Sequence, residues 1–157
     1  MKRLLTVLLN QILNNVDYLK DGGYICRDTF ELISLQKYPF INVYPNPMGT
    51  ISNEQVANIS KSDMERYIYS VIIQFAQRSL YINTAIMGDD IKNVRGVLDI
   101  YQDIWDAIKI DTTIGGAVNG IVPGSVINFD VIQDTVDKYY LAAGELSIQF
   151  YVDKGLK

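Results

Sequence analysis

Histidine is absent from the 157 residues, and cysteine occurs once, at Cys26. The first absence removes serine–histidine and cysteine–histidine nucleophilic systems. It also removes the commonest nitrogen ligand of zinc. A single cysteine allows no intrachain disulfide, which fits a reducing compartment. Basic residues are in deficit as well: 14 Lys and Arg against 18 Asp and Glu leave a net charge of −4. The basic residues are scattered and form no patch, so neither phosphate-backbone binding nor readout of a nucleic-acid sequence is expected. No apolar run is long enough to span a bilayer. The opening "MKRLLTVLLNQILNN" has the flavour of a secretory leader. Its apolar stretch is broken by Thr6, stops at Asn10–Gln11, and is followed by no small-residue cleavage site. It reads better as a helix, in a protein made and assembled in cytoplasm.

What is present is apolar residue, 48% of the chain, enough for the core of one domain. Leu5, Leu8, Leu9, Ile12, Val16 and Leu19 recur at helical spacing, which predicts a first helix over about residues 2–20. Asp21-Gly22-Gly23 ends it. Tyr24 to Leu35 fits a strand followed by a short helical turn. Three of the four prolines, Pro39, Pro45 and Pro47, bracket a short apolar strand, Phe40 to Tyr44, because proline cannot donate to a ladder. The polar stretch at about 46–63 is expected to be a long exposed arm.

"ERYIYSVIIQFAQRS", Glu65 to Ser79, alternates imperfectly. Tyr67, Tyr69, Val71, Ile73 and Phe75 share one face, and the other face is half apolar, as in a central strand covered in part on its second side. Ile91, Val94, Leu98, Tyr101, Ile104, Trp105 and Ile108 predict a second helix over about Asp89 to Lys109, with Asp89-Asp90 at its start. A glycine-rich loop is expected at about 111–125, then a strand from Val126 to Ile132. The last strand puts Leu146, Ile148, Phe150 and Val152 on one face and polar residues opposite. Helix, strands, helix, strands in this order predict an α+β fold in a single domain: a mostly antiparallel sheet with two main helices packed on one face.

Few residues suggest chemistry. Asp99, Asp103 and Asp106 sit at steps of four and three on the second helix, a row that could hold a hard cation or do acid–base work. The further ligands such a site requires are missing, and a solvated polar face is the favoured reading. Cys26 lies beside Arg27 but has neither histidine nor a second cysteine near it in sequence, so a small buried hydrophobe is expected. Gly115-Gly116 lacks the Gly-Lys-Ser/Thr ending of a phosphate loop. No catalytic group, cofactor or metal is expected. The eleven tyrosines suit contacts with protein partners, with strand propensity as the alternative explanation.

The succession of an N-terminal helix, the "YPFINVYPNP" strand, a long polar loop, "RYIYSVIIQFAQRS", the helix "IKNVRGVLDIYQDIWDAI" and the closing "ELSIQFYV" resembles the tail terminator and tail-completion or neck proteins of long-tailed bacteriophages. The resemblance implies a virion structural protein that forms a ring, commonly of six copies. Such a ring caps the tail tube, stops its polymerisation and joins it to the head connector. The implied partners are further copies of the chain, the tail tube protein and the head completion protein, at the tail–neck region of the virion, with no membrane. Tyr44, Asn46, Met48, Tyr67, Tyr69, Ile114, Val118 and Ile121 are the expected contact residues, chosen for apolar character and for backbone freedom in the loops. A head–tail adaptor on the portal side is the sibling reading. A small carboxylate-dependent enzyme built on Asp99, Asp103 and Asp106 is the alternative of another class.

Overall fold

The computed structural model describes residues 1–34, 37–46, 52–55, 64–133 and 137–155. In chain order the elements are α1 (Lys2–Asn15), a 3-10 turn (Asp17–Leu19), β1 (Gly23–Ile25), α2 (Thr29–Ser34), β2 (Phe40–Pro45), β3 (Ser52–Gln55), β4 (Met64–Ser79), α3 (Ile82–Met87), α4 (Val97–Ile110), β5 (Gly120–Gln133) and β6 (Tyr140–Gly155). The strands form one sheet in the order β1-β2-β4-β6-β5, and β3 adds to β4 beyond the end of β2. Every described pairing is antiparallel except β1 with β2. The class is α+β, with the two long helices α1 and α4 on one face.

Alternation sorts the core. Val71, Ile73 and Phe75 of β4 lie beside Ile148, Leu146 and Gly144 of β6 on the helix-bearing face. Leu5, Leu8 and Ile12 of α1 and Ile100, Ile104 and Ile108 of α4 pack against them. Each such side chain, fully buried, contributes roughly 1.5–3 kcal/mol of hydrophobic stabilisation. Among the described residues the opposite face is covered by the short α2. Leu32, Phe40, Ala76 and Leu141 form a small second cluster there, while Ser70 and Gln74 are buried polar residues on the same side. The half-apolar second face of β4 therefore has a half-cover.

Two polar contacts fix the helices to one another. Gln11 on α1 donates its side-chain amide to the carbonyls of Ala107 (2.9 Å), Ile108 (3.2 Å) and Asp111 (3.1 Å). These are carbonyls left without a helical partner at the end of α4, so a residue on one helix caps the other. Tyr18, in the 3-10 turn, donates its hydroxyl to Asp103 of α4 at 2.6 Å.

The second long helix starts later than its periodicity predicts. Residues 89–94 instead close on themselves: Asp89 and Val94 exchange backbone hydrogen bonds of 2.8 and 2.9 Å. The Asp89 carboxylate accepts from the amides of Ile91 and Lys92. Asp89 thus closes a turn and caps no helix. Gly88 and Gly96 meet at the stem of this turn, where a Cβ on Gly96 would run into the Gly88 nitrogen. The helix begins after Gly96, whose amide is held by the Asp99 carboxylate at 3.0 Å. Ile91 is consequently on a turn and almost wholly exposed, and Leu98 is exposed as well. Two further corrections concern loops. Cys26 is exposed because it occupies a turn with φ 52° between β1 and α2. The glycine-rich stretch becomes strand already at Gly120, with a bulge between Val122 and Val126. Of the predicted arm at about 46–63, Ser52–Gln55 forms β3 against β4; most of the remainder lies outside the described residues.

Gly144 shows how closely the layers meet. It sits between Phe75 and Phe129 on neighbouring strands, whose rings stand edge to face at 6.4 Å. Tyr101 of α4 also meets Phe129 edge to face, at 6.0 Å. A Cβ at Gly144 would lie 2.5 Å from the Phe75 ring. Gly144→Ala is therefore expected to lower stability by roughly 1–3 kcal/mol through overpacking, read as a fall in Tm by circular dichroism. Gly116→Ala, at a position with open space but φ +72°, should cost less, about 1 kcal/mol.

Candidate functional site

The acidic row on α4 is occupied with structural tasks. Asp99 completes the helix N-terminus. Asp103 receives the Tyr18 hydroxyl. Asp106 accepts from Gln102 at 3.0 Å and faces Lys109 at 3.9 Å. Burial pushes the Tyr18 phenol far above its ordinary pKa, and the Asp103 carboxylate reinforces the shift. Tyr18 thus remains a neutral donor across the physiological range. The hollow beside it, about 480 Å³, is lined by Asn15, Asp17, Tyr18, Arg95, Asp103 and Asp106. Among the described residues no three His, Cys, Asp or Glu side chains are grouped to hold a metal ion.

A second hollow, about 300 Å³, lies on the sparsely covered face of the sheet. Ile33, Phe40, Ile132 and Leu141 supply apolar walls, and Gln74, Asn128, Asp130 and Glu145 supply polar ones. At its margin Tyr44 donates to Glu145 at 3.2 Å. Burial and then the Glu145 charge raise the Tyr44 pKa to about 12. In the first hollow the Tyr18 hydroxyl is committed to Asp103, with Arg95 near the Tyr18 ring.

The contact residues expected from sequence divide into three groups. Ile114 and Val118 are buried in the main core, so they anchor the loop after α4 and present no surface to a partner. That loop is ordered by Asp111, whose carboxylate accepts from the Thr113 and Gly115 amides at 2.9 and 2.8 Å. Tyr69 and Ile121 are half-buried and pack against the same core. Tyr44, Asn46 and Tyr67 are partly exposed; Asn46 donates to Ser70 at 3.2 Å. Met48 lies outside the described residues. Several other tyrosines are also used internally: Tyr151 lies under Arg66 at 4.3 Å, and Tyr38 and Tyr139 flank Arg78.

Sequence periodicity passed over two surfaces. Leu80, Tyr81, Ile82, Met87 and Ile91 are all exposed, on the stretch that leaves the end of β4. Ile91 reaches 98% exposure on a turn held by its own hydrogen bonds. The available signal was "SLYINTAIMGDDI" itself, an apolar run too short for a core helix. The second surface is the outer edge of β5, where Val126, Phe129, Val131 and Ile132 are exposed.

No protein-family model matches this chain, and no curated protein is significantly similar to it.

At the opposite end of the sheet, Arg66 of β4 grips Asp153 of β6 through two hydrogen bonds of 2.8 and 3.1 Å. That contact holds the Asp153 carboxyl below its ordinary value of 3.8. A depressed pKa contributes stability above the unfolded value, and the contribution is lost as pH falls through the folded one. Asp153→Asn should therefore lower the urea midpoint at neutral pH by an amount corresponding to roughly 0.2–1 kcal/mol. The gap between variant and wild type should close as pH falls below the ordinary aspartate value and through the lowered one. A gap that persisted unchanged in acid would assign the effect to something other than the ion pair.

Proposed function

We propose that this chain is a structural protein of a bacteriophage virion that acts as a tail terminator: copies assemble as a ring on the end of the tail tube, halt its growth and offer a surface to the head connector. The observation that carries this reading is the exposed apolar series from Leu80 to Ile91. A large apolar side chain held almost wholly in water on a rigid turn is a feature of contact surfaces between proteins. Two further points support it. The carboxylates that could have made an enzyme are engaged in capping and hydrogen bonding. The order of helix, strand, loop, long strand, helix and paired strands is compatible with the resemblance to tail terminators.

A ring needs two different surfaces on each copy, meeting head to tail. Under this reading the 80–91 stretch is one surface. The other is the part of the sheet carrying Tyr44, Asn46 and Tyr67, which lies along β4 from about its middle toward Met64, away from the Leu80 end.

The test is to mix the purified chain with isolated tail tubes and look for an annulus at the tube end by negative stain. Met87→Asp with Ile91→Asp is expected to weaken tube binding by at least about tenfold. Because both positions are exposed, the Tm should stay within a few degrees of wild type. Binding to portal rather than tube would reassign the chain to a head–tail adaptor role. Full binding by the double variant would remove the 80–91 surface from the contact.

A further inference from the structure

We infer that the unassembled chain pairs with a second copy of itself through the free edge of β5, strand to antiparallel strand, about a two-fold axis at Phe129. Among the described residues β5 pairs only with β6. Val126 and Ile132 on that edge are 57% and 51% exposed. Natural sheets shield such an edge with proline, lysine, inward charges or bulges. From Val126 to Gln133 the strand has no proline, glycine or lysine, and one charge, Asp130. Its bulge lies before Val126, so the remainder is a continuous template for another strand.

The occupant follows from the residue pattern. A two-fold axis normal to the sheet keeps even-numbered residues of both copies on one face, so the axis must pass beside a residue and not between two. Centred on Phe129, the register sets Val126 opposite Ile132, Ile127 opposite Val131 and Phe129 opposite its own equivalent. Asn128 then faces Asp130 of the second copy, an amide donor opposite a carboxylate. Centred on Asp130, two carboxylates would collide. Centred on Asn128, Val126 would face Asp130. Only the Phe129 register is complementary in every pair, by the rules that govern cross-strand neighbours. Asp130 now accepts the adjacent Val131 amide at 2.8 Å, a contact it can exchange for the Asn128 side chain of the second copy.

The pairing limits itself. Once β5 meets β5, the outer strands described at either end of the joined sheet are β1 and β3, three and four residues long, so the pairing is expected to stop at a dimer. A seven-residue edge, 126–132, is smaller than a standard interface, and micromolar affinity is expected. A two-fold contact cannot also close a head-to-tail ring. The inference therefore stands apart from the ring reading and depends on β5 alone.

The mass of the full chain by sedimentation equilibrium, up to about 100 μM, tests it. Wild type is expected to reach the dimer. Val126→Lys with Ile132→Lys places like charges opposite each other twice and should shift the equilibrium at least tenfold toward monomer. Val126→Glu with Ile132→Lys restores opposite charges in this register alone and should recover the dimer. A monomeric wild type, or a dimer indifferent to the lysine pair, would overturn the inference. So would failure of the Glu–Lys variant to recover the dimer while its circular dichroism matches wild type. A dimer with no annulus on tail tubes would discard the ring and keep the pairing; annuli formed from a monomeric free chain would do the reverse.

Discussion

The molecule depends on one antiparallel ladder. β4 and β6 each run for 16 residues and pair without a break from Met64 with Gly155 to Ser79 with Tyr140. In such a ladder a slip of one residue would send every core side chain to the other face. Burial forbids the slip: Val71, Ile73 and Phe75 with Leu146, Ile148 and Phe150 are inaccessible to water. Their counterparts on the other side include Ser70, Gln74, Glu145 and Gln149. The helices do not choose this register; they occupy the face it creates. β2 and β5 then add at the two flanks, each in register with the central pair.

Polar side chains extend that order to the periphery, and their commitments bear on function. Gln11 caps α4 from α1, and Tyr18 reaches Asp103. Asn42, fully buried in β2, trades two hydrogen bonds with the backbone of Arg27 and so continues the sheet past the end of β1. Gln77 holds the carbonyl of Arg95 at 2.8 Å, which ties the 88–96 turn to the central strand. No described buried side-chain nitrogen or oxygen lacks a hydrogen-bond partner. An active site usually departs from this pattern, because groups poised for reaction are incompletely satisfied or have perturbed proton affinities. Of the raised phenols, Tyr18 and Tyr44 act as fixed donors to carboxylates and Tyr38 donates to the Ile33 carbonyl. Their perturbation has a structural cause.

The sequence disclosed the layers more fully than their joints. Period-two alternation in Glu65–Ser79 and in the last strand led directly to the central pair. The leucine spacing of the first helix and the isoleucine spacing around Ile104 marked the two rods. The start of the second rod was misplaced because Ile91 and Val94 happen to continue its period. Nothing in that period reveals that Asp89 and Val94 pair across a turn, or that Gly88 and Gly96 must touch. Ile114 and Val118 looked like loop residues because glycines surround them. Their burial is decided by a distant neighbour, the space under α1 and α4, which no local pattern records. The same holds for Gln11, whose three acceptors are about a hundred positions away in the chain.

An open β-sheet has two faces and two edges, and this chain treats each differently. One face is closed by helices. The other has a short helix and a shallow, mixed hollow. Among the described residues one edge consists of the short strands β1 and β3, and the other is β5, long and apolar. Surface apolar area carries a standing hydrophobic cost in water, which sequences tolerate where a partner removes it. Here that area is concentrated on the β5 edge and on the stretch leaving β4, while the ionisable side chains most suggestive of catalysis serve to hold the scaffold together. This distribution is what the proposed contacts with other proteins would use. Under that proposal the absence of histidine is consistent, since recognition through strand edges and exposed apolar turns requires no group that titrates near neutral pH.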